Sequence, residues 1–343
     1  MDALINQKIS FFQEKTKKPL ITACVWNNGE FYEASFGKEK NQGIEVFEIG
    51  SNGKTFTTTL LAILVRDNIL QLNDKLEKFR PELPYAKDIT LEQLATHTSG
   101  LPANPFKGLI LTGSSLEEKV LNFNKDQYET YLAGIKKVYK PKGPKYSNLG
   151  MALLGNVLAQ SVGLTYEQAV KEFILEPLGM FETHTTVGRY DETRVAKGHS
   201  ASGKPVPHFS WENMEPAGVW YSTAKDLMVF LKAHLGYSGK NWEELLRTTT
   251  QPITSYSKKL QIGLGWVIEK NDQLGNIAFH NGGTFGQLSV IACALEKDLA
   301  IALLTNRREK LWHNFVRSHK LDELAVDILQ TLDVANMSRE DHD

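Results

Sequence analysis

Apolar positions along this chain follow two patterns: short strand-like runs near both ends and helical spacing through the middle. Ile5, Ile9 and Phe12 share one helical face over residues 3–14. Residues 20–27 predict a strand, and Asn27-Asn28-Gly29 predicts a hairpin turn into a second strand over 31–36. Val46-Phe47-Glu48-Ile49-Gly50 then leads into Phe56, Leu60, Leu61, Ile63, Leu64 and Val65, a buried helix of about four turns with Ser51 at or just inside its start. A connection over 70–76 and a short helix around 91–95 follow.

From about 85 to 235 the pattern is mainly helical, with long loops. It predicts one or two helices over 115–135, a rigid turn at Pro141-Lys142-Gly143-Pro144, and a buried helix over 151–161. Thr165 caps a helix ending near Pro177-Leu178-Gly179-Met180, and Ser222 reads as the cap of a helix over 226–235. Residues 183–215, rich in His, Gly and Pro, read as a surface excursion. Strands return over 263–268, 276–280, 289–294 and 299–304. A closing helix over about 310–333 carries Leu311, Phe315, Leu321, Leu324, Val326 and Leu329, and the residues after Met337 read as a frayed tail.

Strands at both ends around a helical middle predict an α+β fold, an α/β sandwich. One antiparallel sheet would be built from both chain ends (1–84 plus 236–343) and flanked by helices. Residues 85–235 would form an inserted, mainly helical lobe, with the ligand site between the two.

Composition narrows the function classes. A net charge of −1, with acids and bases interspersed, implies no polyanion-binding surface, so no nucleic-acid partner is expected. Two lysine clusters, Lys15, Lys17 and Lys18, and Lys136, Lys137, Lys140, Lys142 and Lys145, read as solvated loops; the second lies next to Tyr146. Cys24 and Cys293 sit in apolar runs and read as free buried thiols, with no metal or cofactor ligand set. No stretch is long enough to span a bilayer, and the first residues lack a leader's pattern. The expected location is cytoplasmic, or periplasmic or secreted if a leader has been removed. The pattern gives no oligomeric state.

The candidate chemistry starts at Ser51-Asn52-Gly53-Lys54. A lysine three residues after a serine can bring its amine beside the hydroxyl and activate it. Ser35/Lys38, Ser222/Lys225 and Ser255/Lys258 share the spacing, and Ser51 differs in opening a long buried helix. Tyr146-Ser147-Asn148 is the only Tyr-x-Asn in the chain. A tyrosine beside a cationic lysine loses its proton more easily and can act as a base, and an asparagine can hold a substrate amide; equally, Asn148 could be a helix cap. His280-Asn281-Gly282-Gly283 ends a strand, either as a glycine-rich turn or as a place where a ligand approaches backbone N–H groups. His97-Thr98-Ser99-Gly100 is a fourth such stretch. There is no Gly-x-Ser-x-Gly elbow, zinc motif or phosphate loop.

Taken in order, these stretches resemble the serine β-lactamase-like superfamily: class C β-lactamases, low-molecular-mass penicillin-binding proteins acting as D-Ala-D-Ala peptidases, and related serine esterases. Leu94-Ala95-Thr96-His97-Thr98-Ser99-Gly100-Leu101-Pro102, Glu176-Pro177-Leu178-Gly179-Met180, Pro216-Ala217-Gly218-Val219-Trp220 and Gly263-Leu264-Gly265-Trp266 extend the likeness over nearly the whole chain. The resemblance implies a serine hydrolase with a β-lactamase/transpeptidase-like fold, no cofactor, and a small-molecule or short-peptide substrate. In it Ser51 is the acylated nucleophile, Lys54 shares protons with Ser51 and Tyr146, and Tyr146 serves as base and then protonates the leaving group. Asn148, His280 and Asn281 bind substrate, the N–H groups of Ser51 and Gly283 form the oxyanion hole, and Gly282 keeps the strand edge open. His280-Asn281-Gly282 replaces the Lys-Thr-Gly common among β-lactamases, and His is only partly charged near pH 7. This favours esters over carboxylate-bearing β-lactams. The alternatives are a D-Ala-D-Ala carboxypeptidase or penicillin-binding protein, a true class C-type β-lactamase, and a non-catalytic ligand-binding member of the fold.

Overall fold

The computed structural model describes residues 1–16, 18–39, 43–105, 114–309 and 320–340. Its strands are β1 (Ile21–Asn27), β2 (Glu30–Phe36), β3 (Val46–Glu48), β4 (Tyr221–Thr223), β5 (Thr254–Ser255), β6 (Leu260–Ile262), β7 (Val267–Asn271), β8 (Gly275–Gly283), β9 (Leu288–Ala294) and β10 (Leu299–Thr305). Its helices are α1 (Asp2–Lys15), α2 (Gly53–Arg66), α3 (Leu91–Ala95), α4 (Ser114–Leu121), α5 (Lys125–Gly134), α6 (Asn148–Ser161), α7 (Tyr166–Val170), α8 (Glu176–Leu178), α9 (Ala224–His234), α10 (Lys240–Thr249) and α11 (Lys320–Glu340).

Eight strands form one antiparallel sheet in the order β2-β1-β10-β9-β8-β7-β6-β5. The two ends of the chain meet at its β1–β10 pair, from Ile21 opposite Thr305 to Asn27 opposite Leu299. Side-chain alternation splits the sheet into two faces. Ile21, Ala23 and Val25 with Leu299, Ile301 and Leu303 pack against α1 and α11. Cys24, Trp26, Ala300 and Ala302 join the larger core that holds α2, α6 and α9. Small residues on that face let α9 lie close over β1 and β10, although α9 falls within 85–235. Cys24 and Cys293 are free and buried, on strands separated by β10.

The Asn28-Gly29 turn takes the positive φ values, 45° and 89°, that its residues predict. Helix α2 buries Phe56, Leu60, Leu61 and Leu64. Burial of each such side chain contributes about 1.5–3 kcal/mol, which gives this helix the margin to hold a buried lysine.

Several expectations shift. Of the strand expected over 263–268 only 267–268 is strand, the start of β7, because 263–266 is the turn that joins β6 to β7. The Gly263 N–H donates to the Trp266 carbonyl at 2.9 Å, and Gly265 has φ +70° against Thr58 of α2. The cap of α9 is Thr223, whose Oγ1 accepts from the Asp226 N–H at 3.1 Å; the Ser222 hydroxyl is spent on Thr183. The 183–215 excursion buries Val195, Ala196, Trp211 and Met214 and so is part of the core. The last helix continues through Ser338 and ends at Glu340, while Leu311 and Phe315 lie outside the described residues. β5 and α10 were not expected. No single helix among the described residues is long and apolar enough to cross a membrane.

Candidate active site

Ser51 lies in a single 3-10 turn, Gly50–Asn52, that feeds directly into α2. Asn52 fixes this turn to the sheet: its Nδ2 donates to Ser289 Oγ at 2.8 Å, and that hydroxyl donates to the Ile49 carbonyl at 2.7 Å. One turn later, Lys54 points back along the helix. Its Nζ lies 2.9 Å from Ser51 Oγ and also donates to the Ala217 carbonyl oxygen. The side chain is 0% exposed. Among the described residues it has no ion-pair partner, and burial holds its amine well below the usual lysine range.

Tyr146 completes the group from the loop before α6, its hydroxyl donating to Ser51 Oγ at 2.7 Å. Burial pushes the phenol above its ordinary range. Burial thus favours the neutral form of both groups beside the serine, lowering the amine and raising the phenol. Ser51 Oγ thus sits between two donors, the Tyr146 hydroxyl and Lys54 Nζ, and Lys54 Nζ also donates to the Ala217 carbonyl.

His97 holds Tyr146 in place, a function the sequence did not reveal. Its ring lies 4.5 Å from the Tyr146 ring, tilted by 40°. Its Nδ1 accepts from the Ser147 N–H at 3.2 Å, and its carbonyl accepts from the Lys145 N–H at 2.7 Å. The residues on either side of Tyr146 are thus both tied to one histidine. His97 itself sits at φ +59°. Burial chiefly, and Lys54 when protonated, keep its imidazole neutral.

Asn148 is not the cap of α6. Ser147 is, accepting from the Gly150 N–H at 2.8 Å, and Asn148 is the first helical residue. Its Nδ2 donates to Asn104 Oδ1 at 2.7 Å. His280 faces the site from β8 with its Nδ1 2.7 Å from the Asn281 carbonyl. Burial first, and Lys54 second, drop its pKa to about 3, so it is neutral rather than partly charged. Asn281 does not join it. Strand alternation turns its side chain to the other face, where Nδ2 donates to Asp322 Oδ2 of α11 at 2.7 Å.

Three glycines set the backbone around Ser51. Gly50 has φ +50°, and a Cβ there would lie 2.7 Å from the Gly283 nitrogen, so the two segments touch. Gly218, at φ +131°, is packed on Gly50 and the Ser51 nitrogen. At Gly282 an added methyl would overlap the Ile49 carbonyl oxygen and Ser289 Oγ. Gly282→Ala is therefore expected to push the Ser51 turn off the sheet. A displacement near 1 Å at a reacting group costs roughly 100-fold. Steady-state kinetics should show a fall of about that size in kcat/KM, and calorimetry a Tm lower by a few degrees.

Glu48 was also missed, although a charged residue inside an apolar strand was the visible signal. It is 3% exposed. It accepts from the Phe209 N–H at 2.8 Å and from Thr284 Oγ1, and His208 Nδ1 lies 3.2 Å away. Its own N–H donates to Gln287 Oε1 at 3.1 Å. Arg308 donates to the Thr284 carbonyl. The turn after Gly283 is thus anchored to the strand that leads into Ser51.

Beside this group lies a cavity of about 560 Å³. Tyr146, His97 and His280 form its inner wall, and most of the rest is apolar. Neither Ser51, Lys54 nor Asn148 lines it. Among the described residues no group of three or more His, Cys, Asp or Glu side chains is placed to hold a metal.

The chain is similar to several known proteins. The chain is 27% identical over 249 residues to a β-lactamase of Lysobacter lactamgenus, covering 68% of this chain and 60% of that protein. It thus spans about three fifths of that curated relative's length. It is 28% identical to the D-alanyl-D-alanine-carboxypeptidase/endopeptidase AmpH of Escherichia coli (strain K12), covering 76% of this chain and 71% of the relative. The crystal structure of a class C β-lactamase superposes with a TM-score of 0.79 at 22% identity, covering 97% of both chains, which shows the fold. The Beta-lactamase family description matches residues 5–325, and by that match this chain belongs to the β-lactamase family.

Proposed function

We propose that this protein is a serine hydrolase working through an acyl-enzyme on Ser51, with small esters as its preferred substrates. The observation that carries the reading is the cluster in which Ser51 Oγ lies 2.9 Å from the buried Lys54 amine and 2.7 Å from the half-buried Tyr146 phenol. Lys54 Nζ takes the Ser51 proton as Oγ bonds to the substrate carbonyl carbon. The N–H groups of Ser51 and Gly283 hold the resulting oxyanion. The bond to the leaving oxygen breaks as that oxygen takes the Tyr146 proton, and the proton on Lys54 restores the phenol. Water then attacks the acyl carbon, gives up a proton to the same groups, and releases the acid and Ser51–OH.

Lys54 as base and Tyr146 as acid follow from the directions in which burial moves the two groups. The relatives' names bring β-lactams and D-alanyl peptides in as competing substrates. Neutral His280 weighs against both, because it supplies no fixed cation for a carboxylate. Mixing with p-nitrophenyl butyrate, rapid quenching and intact-mass measurement should give one butyryl adduct, mapped by peptide digestion to Ser51. Nitrocefin should turn over more slowly than the ester. Turnover with the adduct on another residue, or nitrocefin far ahead of the ester, would overturn this reading.

A further inference from the structure

We infer that the cavity beside Tyr146 and His280 receives the leaving group, and that the group it selects is an uncharged apolar alcohol. The inference rests on the acyl-enzyme reading above and adds to it which side of the ester is recognised.

The first argument is placement. The Tyr146 hydroxyl touches Ser51 Oγ at 2.7 Å, so it is the acid within reach of whichever atom departs from the carbonyl carbon. The leaving atom must lie against that hydroxyl. The cavity opens on the same tyrosine and on His280, and not on Ser51 or Lys54. A chain continuing from the leaving atom past the phenol therefore enters the cavity, while the acyl chain starts from the carbonyl carbon on the serine side.

The second argument is the wall. Leu101, Pro102, Pro144, Tyr256, Ile262 and Trp266 make it apolar. Both histidines that face it are neutral. The Asn281 carboxamide, the other polar group near this wall, is turned away to Asp322. Lys145 reaches the rim, but it is exposed and its ammonium stays in water. A carboxylate entering here would lose its hydration with no buried cation to replace it. The volume of about 560 Å³ lies within the range of ordinary ligand pockets and holds a hexyl or benzyl group.

A series of butyrate esters tests this, since a shared acyl group makes deacylation identical and leaves kcat/KM to report acylation. From methyl through butyl to hexyl butyrate, kcat/KM should rise by roughly three- to fourfold per methylene, until the cavity is filled. The butyrate ester of 6-hydroxyhexanoate, the anionic match of the hexyl ester, should run at least about tenfold below it. Ala103→Trp, at an exposed wall position, should flatten the methyl-to-hexyl slope, and Tyr256→Ala, at another, should shorten it; either variant suffices if the other fails to fold. A flat series in the wild type would overturn the inference. So would a rise seen only when the acyl chain is lengthened at fixed methanol, or a preference for the anionic ester. Fluorophosphonate labelling separates this failure from a deeper one. A labelled Ser51 with a flat series sinks only the cavity assignment, whereas no label and no ester turnover sinks the acyl-enzyme reading and this inference with it.

Discussion

Ser51→Ala is expected to lower kcat/KM for p-nitrophenyl butyrate by roughly 10⁴-fold or more and to abolish labelling by a fluorophosphonate, with Tm almost unchanged. The size follows from losing the atom that forms the covalent bond. What remains is binding and whatever oxyanion stabilisation the backbone supplies. Tm should hold because Ser51 is only half-buried and alanine fits the same 3-10 turn. The other three Ser–Lys pairs provide controls with a structural reason behind each. Lys225 is tied to Glu33 at 3.1 Å, and Ser222 bonds Thr183 at 2.8 Å. Ser35 bonds Thr22 at 2.9 Å across the β1–β2 hairpin. Ser255 and Lys258 are both exposed at the sheet edge. Alanine at 35, 222 or 255 should leave turnover within about twofold. Full activity in Ser51→Ala would end the nucleophile assignment.

Lys54→Met is the second large effect: a loss of roughly 10²- to 10⁴-fold, the usual contribution of a positioned general base. Here activity and stability should part company. The folded amine titrates well below the 10.5 of a free lysine, so the unfolded chain takes up a proton that the folded one refuses. That difference costs stability. The cost is absent above the unfolded value, grows as pH falls below it, and levels off below the folded one. Methionine removes it, so the variant's Tm advantage should be present at neutral pH, shrink as pH rises towards 10.5 and be absent above it. The unmet Ala217 carbonyl offsets part of that gain. For the wild type, kcat/KM should fall towards acid as the amine protonates. His280→Gln should keep that acid limb, since an imidazole with a pKa near 3 does not set it. A methionine variant within tenfold of wild type would exclude Lys54 as the base.

Much of this site was readable before any coordinate. Ser51 with Lys54 shares its spacing with three other pairs, and Tyr146-Ser147-Asn148 alone fits a plain turn; the order of the motifs, through the family they resemble, singled these residues out. The β1–β2 hairpin was written in Asn28-Gly29. What failed did so for identifiable reasons. Asn281 was grouped with His280 by motif, yet period-two alternation alone puts neighbouring strand residues on opposite faces. Thr223 and Ser222 are both able caps, and only the demand of Thr183 on Ser222 decides between them. The roles of His97 and Glu48 are long-range, because their partners lie in other segments of the chain. No local pattern encodes a carboxylate in β3 that meets a threonine beyond β8. Burial, which local sequence does not give, pushes Lys54, Tyr146 and His280 towards their neutral forms.

The pairing of β1 with β10 also governs how the molecule comes into being. The β1–β2 hairpin is complete by Phe36, but its inner edge finds its mate only when β10, more than 250 residues further on, has been synthesised. Closing so long a loop adds little entropy per extra residue, yet contacts this distant in sequence slow the search for the native state. Meanwhile β1 offers a row of unpaired donors and acceptors flanked by Ile21, Ala23, Val25 and Trp26, the kind of bare edge that recruits other chains. The same closure that brings Ser51 to the Gly283 edge leaves β1 exposed until β10 has been made.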